Sequence, residues 1–244
     1  VNVNISGGTG KFSYFYNAGY IHQGGNLKTE SKDQLGYDPS SEMNRWDFRS
    51  NLDYNITTSL KAQLNIGTYI QTTNMPGLGA NSSTSGMIGG LFYNAELMKP
   101  CQAGPATIEG HGIPAGIAIT PSNMDTSPFE DINRRGFYNY TEVNVTSQLT
   151  LDWDLSKLVT KGLDIKGMIS YDNYGYTRRE GEKREITYYV EPDYDAGTFV
   201  YSLNNMPSAL SLSRSYDSNY SINAQASVNY HRIFGAKHDV GAMV

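Results

Sequence analysis

Between Arg45 and Ile56 the chain reads RWDFRSNLDYNI, with polar and apolar residues in alternation. Side chains of a strand switch faces at every residue. Arg45, Asp47, Arg49, Asn51, Asp53 and Asn55 therefore share one face, and Trp46, Phe48, Ser50, Leu52, Tyr54 and Ile56 the other. Seven further stretches behave alike. Val1, Val3 and Ile5 alternate with Asn2 and Asn4, and Phe12, Tyr14, Tyr16, Ala18 and Tyr20 line one face of a strand ending near Gln23. Leu60, Leu64, Ile66 and Ile70 oppose Lys61, Gln63, Asn65 and Gln71, and Val143, Val145, Leu149, Leu151 and Trp153 oppose Asn144, Thr146, Gln148 and Asp152. Leu163, Ile165, Ile169 and Tyr171 form the next apolar row. Tyr220, Ile222, Ala224, Val228 and Tyr230 then oppose Asn223, Gln225 and Asn229, and Val240, Ala242 and Val244 begin an eighth strand that the sequence cuts off.

The links between these strands alternate in length, short near residues 8, 58, 159 and 235 and long near 34, 105 and 195. From about Thr73 to Gly136 periodicity disappears, and a structureless connection of about sixty residues is foreign to a compact soluble domain unless it is functional. A second irregular stretch, about Gly175 to Ser213, holds a hairpin signal at Ile186 to Val190 and Phe199 to Leu203. A soluble antiparallel sandwich also has one apolar face per strand. It has no reason to sort its loops by end, whereas outer-membrane barrels do, with short periplasmic turns and long extracellular loops. Trp46 and Tyr54 lie eight residues apart, roughly 26 Å along a strand and about 20 Å after tilt, close to the apolar band of such a barrel. The expected fold is all-β, an antiparallel transmembrane β-barrel segment of about eight strands, with residues 1–244 forming part of a single barrel domain. Trp46, Tyr54, Trp153 and Tyr230 are the expected membrane-interface girdle. Leu60, Leu64, Ile66, Leu149, Leu151 and Val228 are assigned to lipid, and Gln63, Asn65, Gln148 and Asn229 to the lumen.

Composition sharpens this picture at three points. Charged residues make up 18% of the chain, and Asn, Ser, Thr, Gly and nineteen Tyr fill the deficit, as suits a wet lumen and an aromatic girdle. No apolar run reaches the eighteen residues of a membrane helix, so a membrane role requires strands. A net charge of −5 with no basic stripe argues against nucleic acid. The chain starts at Val1 with no basic n-region, so a signal peptide is expected to have been removed or never included. Cys101, the sole cysteine, reads as an inert loop thiol.

Candidate chemistry is sparse. His22, His111, His231 and His238 show no metal-ligand spacing, and His231 and His238 flank a predicted periplasmic turn. Glu191, Asp193 and Asp195 alternate in EPDYDAG, where three carboxylates either hold Ca²⁺ or form a solvated acidic loop; the glycine and distal glutamate of a calcium loop are absent. No nucleophile elbow, phosphate loop or dinucleotide fingerprint occurs, so neither an enzyme activity nor a cofactor is expected. Tyr188, Tyr189, Tyr194 and Tyr201, with Phe199, cluster in the second long loop and are the candidate solute contacts; packing on one another is the alternative. Arg45, Asp47 and Arg49 are expected to pair within the wall.

The runs ISGGTGKFSYFYNAGYIHQGG, RWDFRSNLDYNIT, LVTKGLDIKGMISYD and NYHRIFGAKHDVGAM, in that order, together resemble the barrel of SusC/RagA-type TonB-linked outer-membrane transporters, and SPFEDINRRGFYN looks like that family's approach to a strand. The resemblance implies a 22-stranded barrel with an N-terminal plug, energised by TonB and capped by a SusD-like surface lipoprotein, in the bacterial outer membrane. This chain covers only an early part of such a barrel, without plug, TonB-contacting segment or later strands. Open edges fit an incomplete piece, because unpaired backbone groups in lipid cost several kcal/mol each. The function implied is active import of a nutrient oligomer, a glycan first and a peptide otherwise. A β-sandwich adhesin or carbohydrate-binding module and a passive porin remain as rivals.

Overall fold

The alternating stretches become long strands in the computed structural model, which describes residues 1–77, 84–98, 104–105, 113, 116–121, 124 and 126–244. In chain order the elements are β1 (Asn2–Gly8), β2 (Phe12–Gly24), α1 (Lys32–Leu35), β3 (Glu42–Asn55), β4 (Leu60–Pro76), α2 (Thr84–Leu97), β5 (Gly104–Pro105) and β6 (Ala118–Pro121). They continue as α3 (Pro128–Asn133), β7 (Gly136–Asp154), β8 (Leu163–Glu182), β9 (Thr187–Asp193), β10 (Thr198–Asn205), β11 (Ser211–Phe234) and β12 (His238–Met243). Eight of these strands form one sheet, in the order β1-β2-β3-β4-β7-β8-β11-β12. Every neighbouring pair in it is antiparallel, so the sheet is an up-and-down meander. A second sheet, β10-β9-β6-β5, belongs to the two long connections, and within it β6 and β9 run parallel.

Register keeps each face of the large sheet uniform. Leu52, Leu64, Leu149, Ile169 and Ala224 stand side by side across five strands, and Asn51, Asn65, Gln148 and Ser170 form the adjacent row on the opposite face. The apolar row has no cover. Ile66 is 37% exposed, Leu151 43% and Ile169 49%, although burying such a side chain is worth about 1.5–3 kcal/mol. The described buried apolar residues lie instead mostly at the long-loop end, where Tyr37, Met75, Met87, Leu91 and Ala118 are 8% exposed or less.

The strands outrun the expected ones. β4 continues to Pro76 and β8 reaches Glu182 to pair with β11 from Ser211, whereas β7 starts at Gly136, where the irregular stretch ends in sequence. The connection from residue 77 to 135 is not structureless, since it contains α2, α3 and two short strands. The expected hairpin is present as β9 and β10. Among the described residues no helix is long and apolar enough to cross a membrane.

One of the short turns depends on a glycine. Gly162 closes the β7–β8 turn at φ +85°, and its carbonyl accepts a hydrogen bond from the His231 amide at 2.8 Å. A Cβ there would sit 1.9 Å from the His231 carbonyl oxygen. Gly162→Ala should therefore lower stability by about 2 kcal/mol through left-handed strain and displaced backbone. Gly167→Ala, with nothing within 4 Å of the added Cβ, serves as the control. Urea titration of folding into lipid vesicles checks the pair, and equal midpoints would refute the strain argument.

Candidate functional site

The polar face carries a dense patch towards the long-loop end. Register aligns Arg45, Gln71, Glu142, Tyr176 and Asp217 across β3, β4, β7, β8 and β11. One row further out stand Thr73, Tyr140, Arg178 and Ser215, and beyond them Met75, Tyr138, Glu180 and Ser213. Spacing by two residues on β7 and β8 thus puts Tyr138, Tyr140, Tyr174 and Tyr176 on one surface. Tyr140 lies 5.2 Å from Tyr176 between ring centres, and Tyr138 and Tyr140 are nearly parallel at 6.2 Å. The Tyr174 hydroxyl donates to Glu142 Oε1 at 2.8 Å, so its 3.2 Å contact with the Tyr140 hydroxyl is one in which Tyr140 donates. Gln71 Nε2 donates to Glu142 Oε2 at 3.2 Å, which fixes the carboxylate from its other side. Arg178 has a buried Nε with no acceptor.

Helix α2 roofs the outer end of this patch, where Met87 packs on Met75 and Tyr138. Its sequence, with Gly86, Gly89 and Gly90, is a poor helix former, so packing of Met87 and Leu91 supplies what propensity withholds. Asn94 donates to Asp131 of α3 at 2.9 Å, and Arg135 pairs with the same carboxylate at 3.2 Å. Arg134 grips Glu30 with two N–H groups, at 3.0 and 2.9 Å, which clasps the 25–41 loop to the foot of β7; the bond raises the guanidinium pKa further. The buried Tyr37 hydroxyl donates to the Asn133 carbonyl at 2.9 Å and accepts from the Gly136 amide, and burial pushes its pKa up to about 12. Within α3, Ser127 caps the helix by accepting from the Glu130 amide at 3.2 Å. The Glu130 side chain is 2% exposed, its Oε2 has no partner, and burial pushes its pKa up to about 7.

The candidates read from sequence scatter. Tyr188 and Tyr201 share a face of the β9–β10 hairpin, Tyr189 lies on the other face, and Tyr194 stands 89% exposed in the turn, so the four do not make one surface. Asp193 caps that turn by accepting from the Asp195 and Ala196 amides at 3.1 and 3.0 Å. Among the described residues no three His, Cys, Asp or Glu side chains are grouped to hold a metal, Glu191, Asp193 and Asp195 included. Arg45 pairs with Asp47 at 2.8 Å and lies over the Tyr69 ring at 4.1 Å, the pairing within the wall that alternation implies. His231 pairs with Asp239 at 2.8 Å beside the last turn. Cys101 and His111 lie outside the described residues. Tyr54, Trp153 and Tyr230 stand on the apolar face at the short-turn end, and Trp46 beside Tyr20 marks the other side of the band.

The tyrosine patch has a signal in the sequence, Tyr138-x-Tyr140-x-Glu142 and Tyr174-x-Tyr176-x-Arg178. It escapes a search for apolar rows because these aromatics fall on the polar face.

No protein-family model and no curated protein matches the sequence. Among solved structures the chain is similar to the outer membrane transporter YddB from Escherichia coli, at 9% identity and a TM-score of 0.35 over 91% of this chain and 28% of that one. A likeness that low carries no weight for the fold, which rests on the register above. The chain spans under a third of the length of that transporter.

Proposed function

We propose that this chain is part of the wall of a 22-stranded, SusC/RagA-like outer-membrane barrel that imports nutrient oligomers, glycans first and peptides otherwise. The carrying observation is the eight-stranded sheet itself. One face is a continuous, uncovered apolar surface, the other is polar, and short turns gather at one end while long segments gather at the other. Lipid is the natural cover for that face, with Trp46, Tyr54, Trp153 and Tyr230 at its rims. A sandwich adhesin would lay its second sheet over the apolar row. Here both sheets are present and the row stays exposed. A plug, TonB and the rest of the barrel would act through other parts of the protein. The long-segment end, where the hairpin presents Tyr188, Tyr201 and Tyr194, suits first contact with solute and with a SusD-like lipoprotein.

The test joins topology to energy coupling. Proteinase K added to intact cells should cut within residues 77–135 or 183–210 and spare the turns near Gly8 and Ser59. Uptake of the cognate oligomer should stop when TonB is deleted. Cleavage at the short turns inverts the topology, and uptake indifferent to TonB makes the barrel a passive porin.

A further inference from the structure

The polar-face patch holds more than a wall needs. Residues that only line water need no organised aromatics, yet Tyr138, Tyr140, Tyr174 and Tyr176 form a linked ladder around a carboxylate held on both sides. The ladder lies just below and beyond the level of Trp46, the upper edge of the apolar band, where the lipid-side positions turn polar at Asn139, Thr141, Thr177 and Arg179. Beside it on β11 the same face carries only Ser213, Ser215 and Asp217, two of them exposed, so the strand neighbours of Tyr176 and Arg178 are short side chains.

We propose that this ladder is a saccharide-binding subsite on the inner wall, and that Tyr140 and Tyr176 are its platforms. The inference rests on the barrel reading, which places this face in a water-filled interior. The chemistry favours a neutral sugar. Electron-rich tyrosine faces attract the slightly positive axial C–H edges of a pyranose. The Glu142 carboxylate, oriented by Gln71 and Tyr174, keeps lone pairs for neighbouring hydroxyl donors. The half-buried Arg178 guanidinium stands one row further out on the same face, with its Nε buried against the wall. Glu142, Asp217 and Glu180 outnumber Arg45 and Arg178 on this face, which disfavours an anionic ligand. α2 covers the outer end through Met87, so the sugar enters along the β11 side.

The test uses the natural full-length protein, purified in detergent, with maltohexaose, cellohexaose, mannohexaose, xylohexaose and a neutral hexapeptide as probes in titration calorimetry. Tyr140→Leu and Tyr176→Leu should each weaken the best saccharide about tenfold, while Leu158→Ala, exposed in the short β7–β8 turn at the opposite end, leaves it unchanged. Glu142→Gln, which preserves shape, should also cost about tenfold; it decides the matter alone if the leucine variants fail to insert into the outer membrane. Wild-type affinity in Glu142→Gln or in both leucine variants overturns the subsite. Binding of the hexapeptide alone, or of no probe, overturns the saccharide assignment while TonB-dependent uptake, measured separately, leaves the transporter reading standing. Loss of membrane insertion by the wild type would instead sink that reading.

Discussion

Leu64→Arg is expected to destabilise the inserted protein by about 2–4 kcal/mol, and Asn65→Arg, one residue away, to be tolerated. The contrast follows from register. Leu64 stands between Leu52 and Leu149 in the apolar row, and Asn65 between Asn51 and Gln148 on the polar face. A guanidinium in hydrocarbon loses its hydration and finds no acceptor, because every strand backbone group is already used in the ladder. On the polar face the same group meets water and amide oxygens. Depth sets the size of the effect, so Ile66, midway between the Tyr54–Ala62 and Trp46–Ile70 pairs that mark the two rims, should be the costlier place for arginine. Urea titration of folding into lipid vesicles measures all three. Equal destabilisation at 64 and 65 would mean that the two faces do not see different solvents, and the membrane assignment would fall.

That contrast was legible in sequence because period-two alternation is imposed by the strand itself and needs no tertiary information. The strand ends were not. Within the apolar band one face must be greasy, so the pattern is clean from Leu60 to Ile70 and from Val143 to Trp153. Beyond the band both faces are wet, and Asn139, Thr141, Thr177 and Arg179 on one side oppose Tyr140, Glu142, Tyr176 and Arg178 on the other. Alternation of polarity fades there although the backbone continues as strand, which is why β4, β8 and β11 extend further than expected. The tyrosine ladder was lost at the same boundary. α2 was illegible for another reason. Three glycines weaken its local signal, and its stability comes from Met75 and Tyr138, which are distant in sequence and brought near only by the β4–β7 pairing. The parallel β6–β9 pair likewise joins two separate long segments and leaves no local trace. Long connections looked unstructured because their order is borrowed. Asn74 donates to the Asp38 and Ser40 carbonyls, at 3.1 and 2.7 Å, and Arg134 holds Glu30, so each loop is folded by its neighbours.

The clasp around α3 should loosen as pH rises, because it is built over a buried carboxyl that is easier to keep neutral than charged. Glu130 has an ordinary value of 4.5, and burial, reinforced by the charge of Asp131, raises it to about 7, against the opposing pull of Arg135 and Arg134. A carboxyl held protonated in the folded state binds more protons there than in the opened chain. Stability then falls with rising pH between those two values, by about 3 kcal/mol across the whole rise. The contribution is fully present at pH 4.5 and below and is gone above pH 7. The sign is opposite to that of a salt-bridged carboxylate, whose contribution is lost on acidification. Glu130 Oε2 has no hydrogen-bond partner to soften the cost, and Arg135 and Arg134 are already engaged with Asp131 and Glu30. Glu130→Gln keeps the shape and cannot ionise, so it should flatten the pH dependence and outlast the natural residue at pH 8. Amide exchange at residues 128–134, measured from pH 5 to pH 8 after correction for the intrinsic rate, reads local opening without unfolding the sheet. Opening that grows more frequent with pH in the natural protein but not in Glu130→Gln is the expected result. Opening that shifts identically with pH in both proteins would show that Glu130 is not the titrating group under the clasp.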